Sequence, residues 1–204
     1  VNVVDTTSPA ITVTGGTPTS AELGSTYNDA GATASDASGS IAVTSSGTVD
    51  TSTLGSYTIS YTATDASGNT GTATRTVNVV DTTVPVFTSS STFVVDEGDT
   101  AVGTVTATDI QTVSFTISGT TKLAITTSGV LSLLSPADYE SQTDNPVSLP
   151  YDGSTYDITA TVIATDASSN TAVQLITVSI RDVGGVDDNT ETCLLYTSPS
   201  PRDA

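Results

Sequence analysis

The sequence predicts an all-β protein of two tandem antiparallel β-sandwiches, each of the seven-strand type. Three observations carry this. The run Val1-Asn2-Val3-Val4-Asp5-Thr6-Thr7-Ser8-Pro9 returns with one change as Val77-Asn78-Val79-Val80-Asp81-Thr82-Thr83-Val84-Pro85, an offset of 77 − 1 = 76 residues, the length of one small domain. Apolar and polar residues alternate over long runs, the period of a strand with one buried and one wet face. The apolar residues are chiefly Val, Ile, Ala and Tyr, with no Met or Trp and with abundant Thr and Ser, a composition suited to strands and turns. No convincing amphipathic helix is present.

Taken in order, residues 1–5 read as the last strand of a preceding repeat, so the chain reads as a slice of a longer array. Residues 6–81 form the first module. Pro9 stiffens the start of its first strand, and Asp36-Ala37-Ser38-Gly39 marks a turn. Tyr57, Ile59, Tyr61 and Ala63 alternate with Thr58, Ser60, Thr62 and Thr64 as one strand. After a turn at Ser67-Gly68-Asn69, Arg75, Val77 and Val79 alternate with Thr74, Thr76, Asn78 and Val80 as the last strand.

Residues 82–182 form the second module, longer at 182 − 81 = 101 residues. Its first strand includes Phe93-Val94-Val95-Asp96-Glu97 and its second Val105-Thr106-Ala107-Thr108-Asp109. After a turn at Asp152-Gly153-Ser154, Tyr156, Ile158, Ala160, Val162 and Ala164 alternate with mostly polar residues. The octet Ala63-Thr64-Asp65-Ala66-Ser67-Gly68-Asn69-Thr70 is matched by Ala164-Thr165-Asp166-Ala167-Ser168-Ser169-Asn170-Thr171. Asp65 precedes Asp81, and Asp166 precedes Asp182, by the same 16 residues, so both modules close with one hairpin design. The linkers Asp5-Thr6-Thr7 and Asp81-Thr82-Thr83 are too short for floppy tethers. Residues 183–192 read as a further linker. Residues 193–204, Cys193 through Ala204, have no strand pattern and resemble a translated sequencing-library adapter, as in a metagenomic fragment read past its end. The only cysteine, Cys193, lies there, and no redox or thiolate role is built on it.

Charge narrows the function. Twenty-two acids against four bases give −18, which argues against nucleic acid and anionic membrane surfaces as partners and favours a cation. No run reaches the ~18 apolar residues of a membrane span. The chain has no His, so no Ser-His-Asp arrangement exists. No Asn-x-Ser/Thr sequon occurs.

Strand parity places the acids. In a sandwich of this type, the loop after the second strand and the loop before the last share the N-terminal pole. Asp109 and Asp166 therefore belong at that pole of the second module, near Asp81, while Glu97 and Asp182 belong at the opposite pole. In the first module Asp36 and Asp65 share the N-terminal pole with Asp5, and Glu22 faces Asp81. A single Asp at a strand end is an ordinary turn former. Several converging carboxylates repel one another and call for a cation. Ca²⁺ suits them, taking about 6–8 oxygen ligands in irregular geometry, whereas the usual zinc and copper ligands are absent from the native part.

Residues 84–182 resemble a cadherin repeat through Val94-Val95-Asp96-Glu97-Gly98-Asp99, Gly103-Thr104-Val105-Thr106-Ala107-Thr108-Asp109, Ile125 through Leu131, Ala137-Asp138-Tyr139-Glu140, Tyr156 through Asp166 and Val178 through Val183. The resemblance implies Ca²⁺ at the joints: Asp109 and Asp166 with Asp81 before the module, and Glu97, Asp138, Glu140 and Asp182 after it. Two departures lower the ligand count. The family's Asp-x-Asp reads Asp109-Ile110-Gln111, and Gly184-Gly185 interrupts the closing Asp-x-Asn-Asp-Asn, which removes Asp187, Asp188 and Asn189 from register. Residues 6–81 resemble a bacterial immunoglobulin-like surface repeat through Asp5 to Pro9, Glu22 to Tyr27, Gly31 to Ala34, and Asp65 to Asn69 leading into Val77 to Asp81. The expected function is a calcium-binding extracellular adhesion or surface-stalk module, cell-surface or secreted, with another adhesin or a surface glycan as partner and no enzyme activity. The alternative is a passive spacer within a secreted enzyme. Asp138 and Glu140 as a glycosidase pair lack a cleft.

Overall fold

The computed structural model describes residues 3–137, 155–181 and 183. It divides into two compact units, Val1–Thr83 and Val84–Ala204. Among the described residues there is no helix, and so none long and apolar enough to cross a membrane.

Among its described residues the first unit has seven strand segments: β1 (Ala10–Val13), β2 (Thr19–Glu22), β3 (Ala32–Asp36), β4 (Gly39–Ile41), β5 (Val43–Ser46), β6 (Gly55–Thr64) and β7 (Thr70–Val80). They form two sheets, β1-β3-β4 and β2-β7-β6-β5. Residues Val3 to Pro9 form no strand. The alternation in β6 and β7 aims Ile59, Tyr61, Val77 and Val79 into a core with Ala21. Arg75 occupies the same face and is buried with them.

The second unit carries β8 (Val86–Phe87), β9 (Thr92–Asp96), β10 (Ala101–Thr104), β11 (Ala107–Thr108), β12 (Ser114–Ser118), β13 (Leu123–Ile125), β14 (Val130–Leu133), β15 (Thr155–Thr165) and β16 (Thr171–Arg181). The main sheet is β12-β15-β16-β9, facing β10-β14-β13 and the short pair β11-β8. Val95, Val105, Phe115, Leu131, Ile158, Val162, Ile176, Val178 and Ile180 are among its core residues.

The architecture departs from a purely antiparallel sandwich. In both units the opening strand changes sheet: β1 pairs with β3 and β8 with β11, whereas β2 and β9 pair parallel to the last strands, β7 and β16. The cause is topological, because a first strand that crosses over before it turns back still runs in the direction of the last. The second unit's second strand, expected at Val105 to Asp109, begins earlier and is likewise divided, β10 pairing with β14 and β11 with β8. Val105 sits at the break, where its N–H donates to the Gly129 carbonyl at 2.8 Å and its side chain is fully buried. Among the described residues the nine segments of the second unit thus correspond to seven strands, two of them divided, whereas the seven segments of the first make fewer than the expected seven, since β1 and β2 are halves of one.

Candidate metal centres

In the first unit, Asp5 lies in the segment before β1, Asp36 ends β3, and Asp65 opens the β6–β7 hairpin. Their carboxylates converge: one oxygen from each lies within 4.8 Å of the others. Local chemistry fixes each arm. Asp5 Oδ1 accepts the Thr7 N–H at 3.0 Å. Asp65 Oδ1 accepts the N–H groups of Ser67 (2.9 Å) and Asn69 (2.8 Å), and its Oδ2 accepts the Asn69 side-chain amide at 2.9 Å. These bonds, led by that of the Asn69 side chain, outweigh burial and hold the Asp65 carboxyl below the usual carboxylate range. The Asn69 amide also reaches the Asp5 carbonyl at 3.2 Å, tying the hairpin to the incoming chain.

Asp36 is the informative member. Its Oδ1 accepts the Ala37 N–H, but its Oδ2 is buried with no hydrogen-bond partner. A buried unpartnered carboxylate oxygen is costly. Beside two further carboxylates, a hard cation would satisfy it. The donor set is all oxygen, which fits Ca²⁺ rather than zinc or copper.

In the second unit, Asp109 follows β11 and Asp166 opens the β15–β16 hairpin, and their carboxylate oxygens lie within 4.8 Å. Asp166 repeats the Asp65 arrangement, its Oδ1 accepting the Asn170 N–H (2.8 Å) and its Oδ2 the Asn170 side chain (2.9 Å). The left-handed residue in this turn is Ser169, φ 74°, where the first hairpin has Gly68, φ 86°. Asp109 accepts the Gln111 N–H at 2.9 Å. Gln111, standing where the cadherin pattern has a second Asp, instead bonds Ser168 Oγ at 2.6 Å and joins the β11–β12 loop to the hairpin.

The remaining acids fall as follows. Asp81 directly follows β7, and its carboxylate accepts the Thr83 N–H (3.1 Å) and hydroxyl (3.0 Å). Glu22 ends β2 and accepts the N–H and hydroxyl of Thr82 (2.7 and 2.9 Å) and the hydroxyl of Thr83 (2.9 Å). The Thr82 bonds, backbone first, hold the Glu22 carboxyl below its ordinary value. Glu97 accepts the Val183 N–H at 2.9 Å. Asp138, Glu140 and Asp182, with Asp187, Asp188, Asn189 and the turn at Asp152-Gly153-Ser154, lie outside the described residues.

Sequence reasoning missed one polar cluster. Tyr61 donates its hydroxyl to Asp29 at 2.7 and 2.8 Å, and the Arg75 Nε lies 3.3 Å from Asp29 Oδ1. Arg75 also donates to the carbonyls of Thr14 and Gly31. Burial, reinforced by Asp29, pushes the Tyr61 hydroxyl up to about 12. The available signal was Arg75 itself, an arginine in register with Val77 and Val79.

Residues 11–79 match the family model described as bacterial surface protein, Ig-like domain. This Ig-like match takes in every strand of the first unit but the two ends, from within β1 to within β7. Solved structures similar to the chain include cadherin repeats. Drosophila N-cadherin EC1-3 is 18% identical over 63% of this chain and 44% of its own, with a TM-score of 0.39. The protocadherin gammaB7 EC3-6 cis-dimer is 18% identical over 86% and 50%, with a TM-score of 0.40. Mouse cadherin-23 EC22-24 is 18% identical over 88% and 68%, with a TM-score of 0.42. The chain thus spans about half or less of the first two. No curated protein sequence matches it.

Proposed function

We propose that this chain is a non-catalytic, calcium-binding module of an extracellular or cell-surface adhesion or stalk protein, in which Ca²⁺ at the ends of the sandwiches stiffens the joints. The observation that carries the reading is the convergence of Asp5, Asp36 and Asp65 within 4.8 Å around a buried, unpartnered Asp36 oxygen. A Ca²⁺ ion there would be held by those carboxylates, with waters or carbonyls completing its shell. Unligated, the three like charges repel, so the ion links the segment before β1 to two loops of the sandwich.

The reading extends by repeat equivalence. Asp81 stands to the second module in sequence as Asp5 stands to the first, and Asp109 and Asp166 correspond to Asp36 and Asp65, so these three are proposed as the second ligand group. Glu97, Asp138, Glu140 and Asp182 are proposed for the joint after the second module, and Glu22 as a support that orders Thr82 and Thr83 beside Asp81. The partner in adhesion would be another surface protein or a glycan.

The test is calorimetric Ca²⁺ titration of the whole chain alongside Asp36→Asn and Asp81→Asn variants. The expected result is saturable binding, a raised Tm in millimolar Ca²⁺, and loss of a different class of sites in each variant. Absence of binding heat together with an unchanged Tm between millimolar Ca²⁺ and chelator would refute the reading.

A further inference from the structure

The last strand of the second unit is left half open. β16 pairs with β15 along its whole length, Thr171 to Arg181, but with β9 only from Thr177 to Arg181. Two bonds fix which way its backbone points. Thr177 donates its N–H to Ser91 at 2.8 Å, and the Arg181 carbonyl accepts the Glu97 N–H at 3.1 Å. The odd-numbered residues therefore aim at the β9 side. Thr171, Val173 and Leu175 aim the same way, beyond the point where β9 stops. The β8 strand passes near β16 but hydrogen-bonds to β11 in another sheet. Among the described residues, this stretch of edge has no strand partner.

The first unit has the same edge and dresses it differently. There the hairpin equivalents of Val173 and Leu175 are Thr72 and Thr74. Across the sheet the first unit's outer face carries the row Thr44-Thr62-Thr72, whereas the second carries Thr116-Ile163-Val173. Val173 and Leu175 are 64% and 65% exposed. The fold does not require apolar residues there, since its other copy uses threonines. Nor is the edge blunted by Lys or Pro, the usual protections.

We propose that this edge is an interaction surface for a second copy of the chain, β16 pairing antiparallel with β16 about a two-fold axis at Val173. The pairing is self-complementary. Val173 faces Val173 and Leu175 faces Thr171, and each facing pair is of the kind that exchanges both backbone bonds, about six in all. On the exposed face the joined sheets carry apolar side chains across the seam. The segment Thr171 to Ile180 holds no ionisable side chain in a chain of net charge −18, so the contact sets no like charges opposite one another. A charged partner strand would find no counter-charge there, whereas the neutral strand of a second copy matches it.

Sedimentation equilibrium of the full chain, with a reductant to exclude disulfides through Cys193, tests this. The mass should rise from one toward two chain masses as concentration rises to about 1 mM, the range of weak pairings. Leu175→Pro removes an N–H that points away from β15 and costs the fold no ladder bond. It should abolish the rise, and so should Val173→Lys with Leu175→Lys, which decides the matter if the proline variant loses its β circular-dichroism signal. Thr72→Lys with Thr74→Lys should dimerise as the parent does. A parent that stays at one chain mass throughout, or edge variants that dimerise like the parent, overturns the proposal.

Discussion

Replacing Asp29 by Ala isolates what one acceptor does for a buried cation. The Arg75 side chain is 4% exposed and Asp29 is 24% exposed. The substitution removes the ion pair at 3.3 Å and the acceptor of the Tyr61 hydroxyl at 2.7–2.8 Å. Breaking a buried pair from one side costs about 3–5 kcal/mol, chiefly because the other charge remains buried. Arg75 keeps the Thr14 and Gly31 carbonyls, and water reaches the vacated, partly exposed side, so the lower figure of about 3 kcal/mol applies. For a domain of this size that is a loss of roughly 12 °C or more in Tm. Arg75→Met should cost less, because the stranded Asp29 can hydrate. The assay is native-state hydrogen exchange of the whole chain, reading β6 and β7 peptides against β15 and β16 peptides. Protection should fall by about 3 kcal/mol in the first pair and not in the second. A fall in β6 and β7 below about 1 kcal/mol, or an equal fall in both units, would show that the Asp29 contact is not what keeps Arg75 buried.

Three further outcomes are expected. The Tyr61 hydroxyl is raised from 10.0 to about 12 in the folded chain, so its contribution to stability is full below pH 10 and is lost as pH rises toward 12; an alkaline denaturation series should show that window shrink in Tyr61→Phe. Ser169→Gly should stabilise the second unit by about 1 kcal/mol by relieving a left-handed serine at φ 74°, read as a shift in urea midpoint, whereas Gly68→Ser in the first unit should do the reverse. Asp36→Asn should raise the Tm in chelator by removing one of three mutually repelling carboxylates, and lower it relative to the parent in Ca²⁺; thermal melts in both buffers should show the sign invert.

The paired hairpins were legible because period-two alternation is a local property. Tyr57 to Ala63 and Tyr156 to Ala164 can bury one face only as strands. Which loops share a pole was legible for a different reason: parity is topological and needs no side-chain detail, so Asp5, Asp36 and Asp65 could be grouped from the sequence. The sheet change of the opening strand was not legible, because its two halves, such as β1 and β2, choose partners by tertiary packing rather than by local pattern. Asp29 and Arg75 are 75 − 29 = 46 residues apart, and nothing in either segment names the other. The Asn69 and Asn170 side-chain bonds were visible only as a shared letter at the fourth position after each Asp.

The parallel pairing of β2 with β7 and of β9 with β16 has a mechanical meaning. Tension on the chain pulls the opening strand backward and the closing strand forward along a common axis. Because the two run the same way, their ladder is loaded in shear, with all its bonds resisting together rather than peeling one at a time. Each unit is thereby fastened across the two strands through which force enters and leaves.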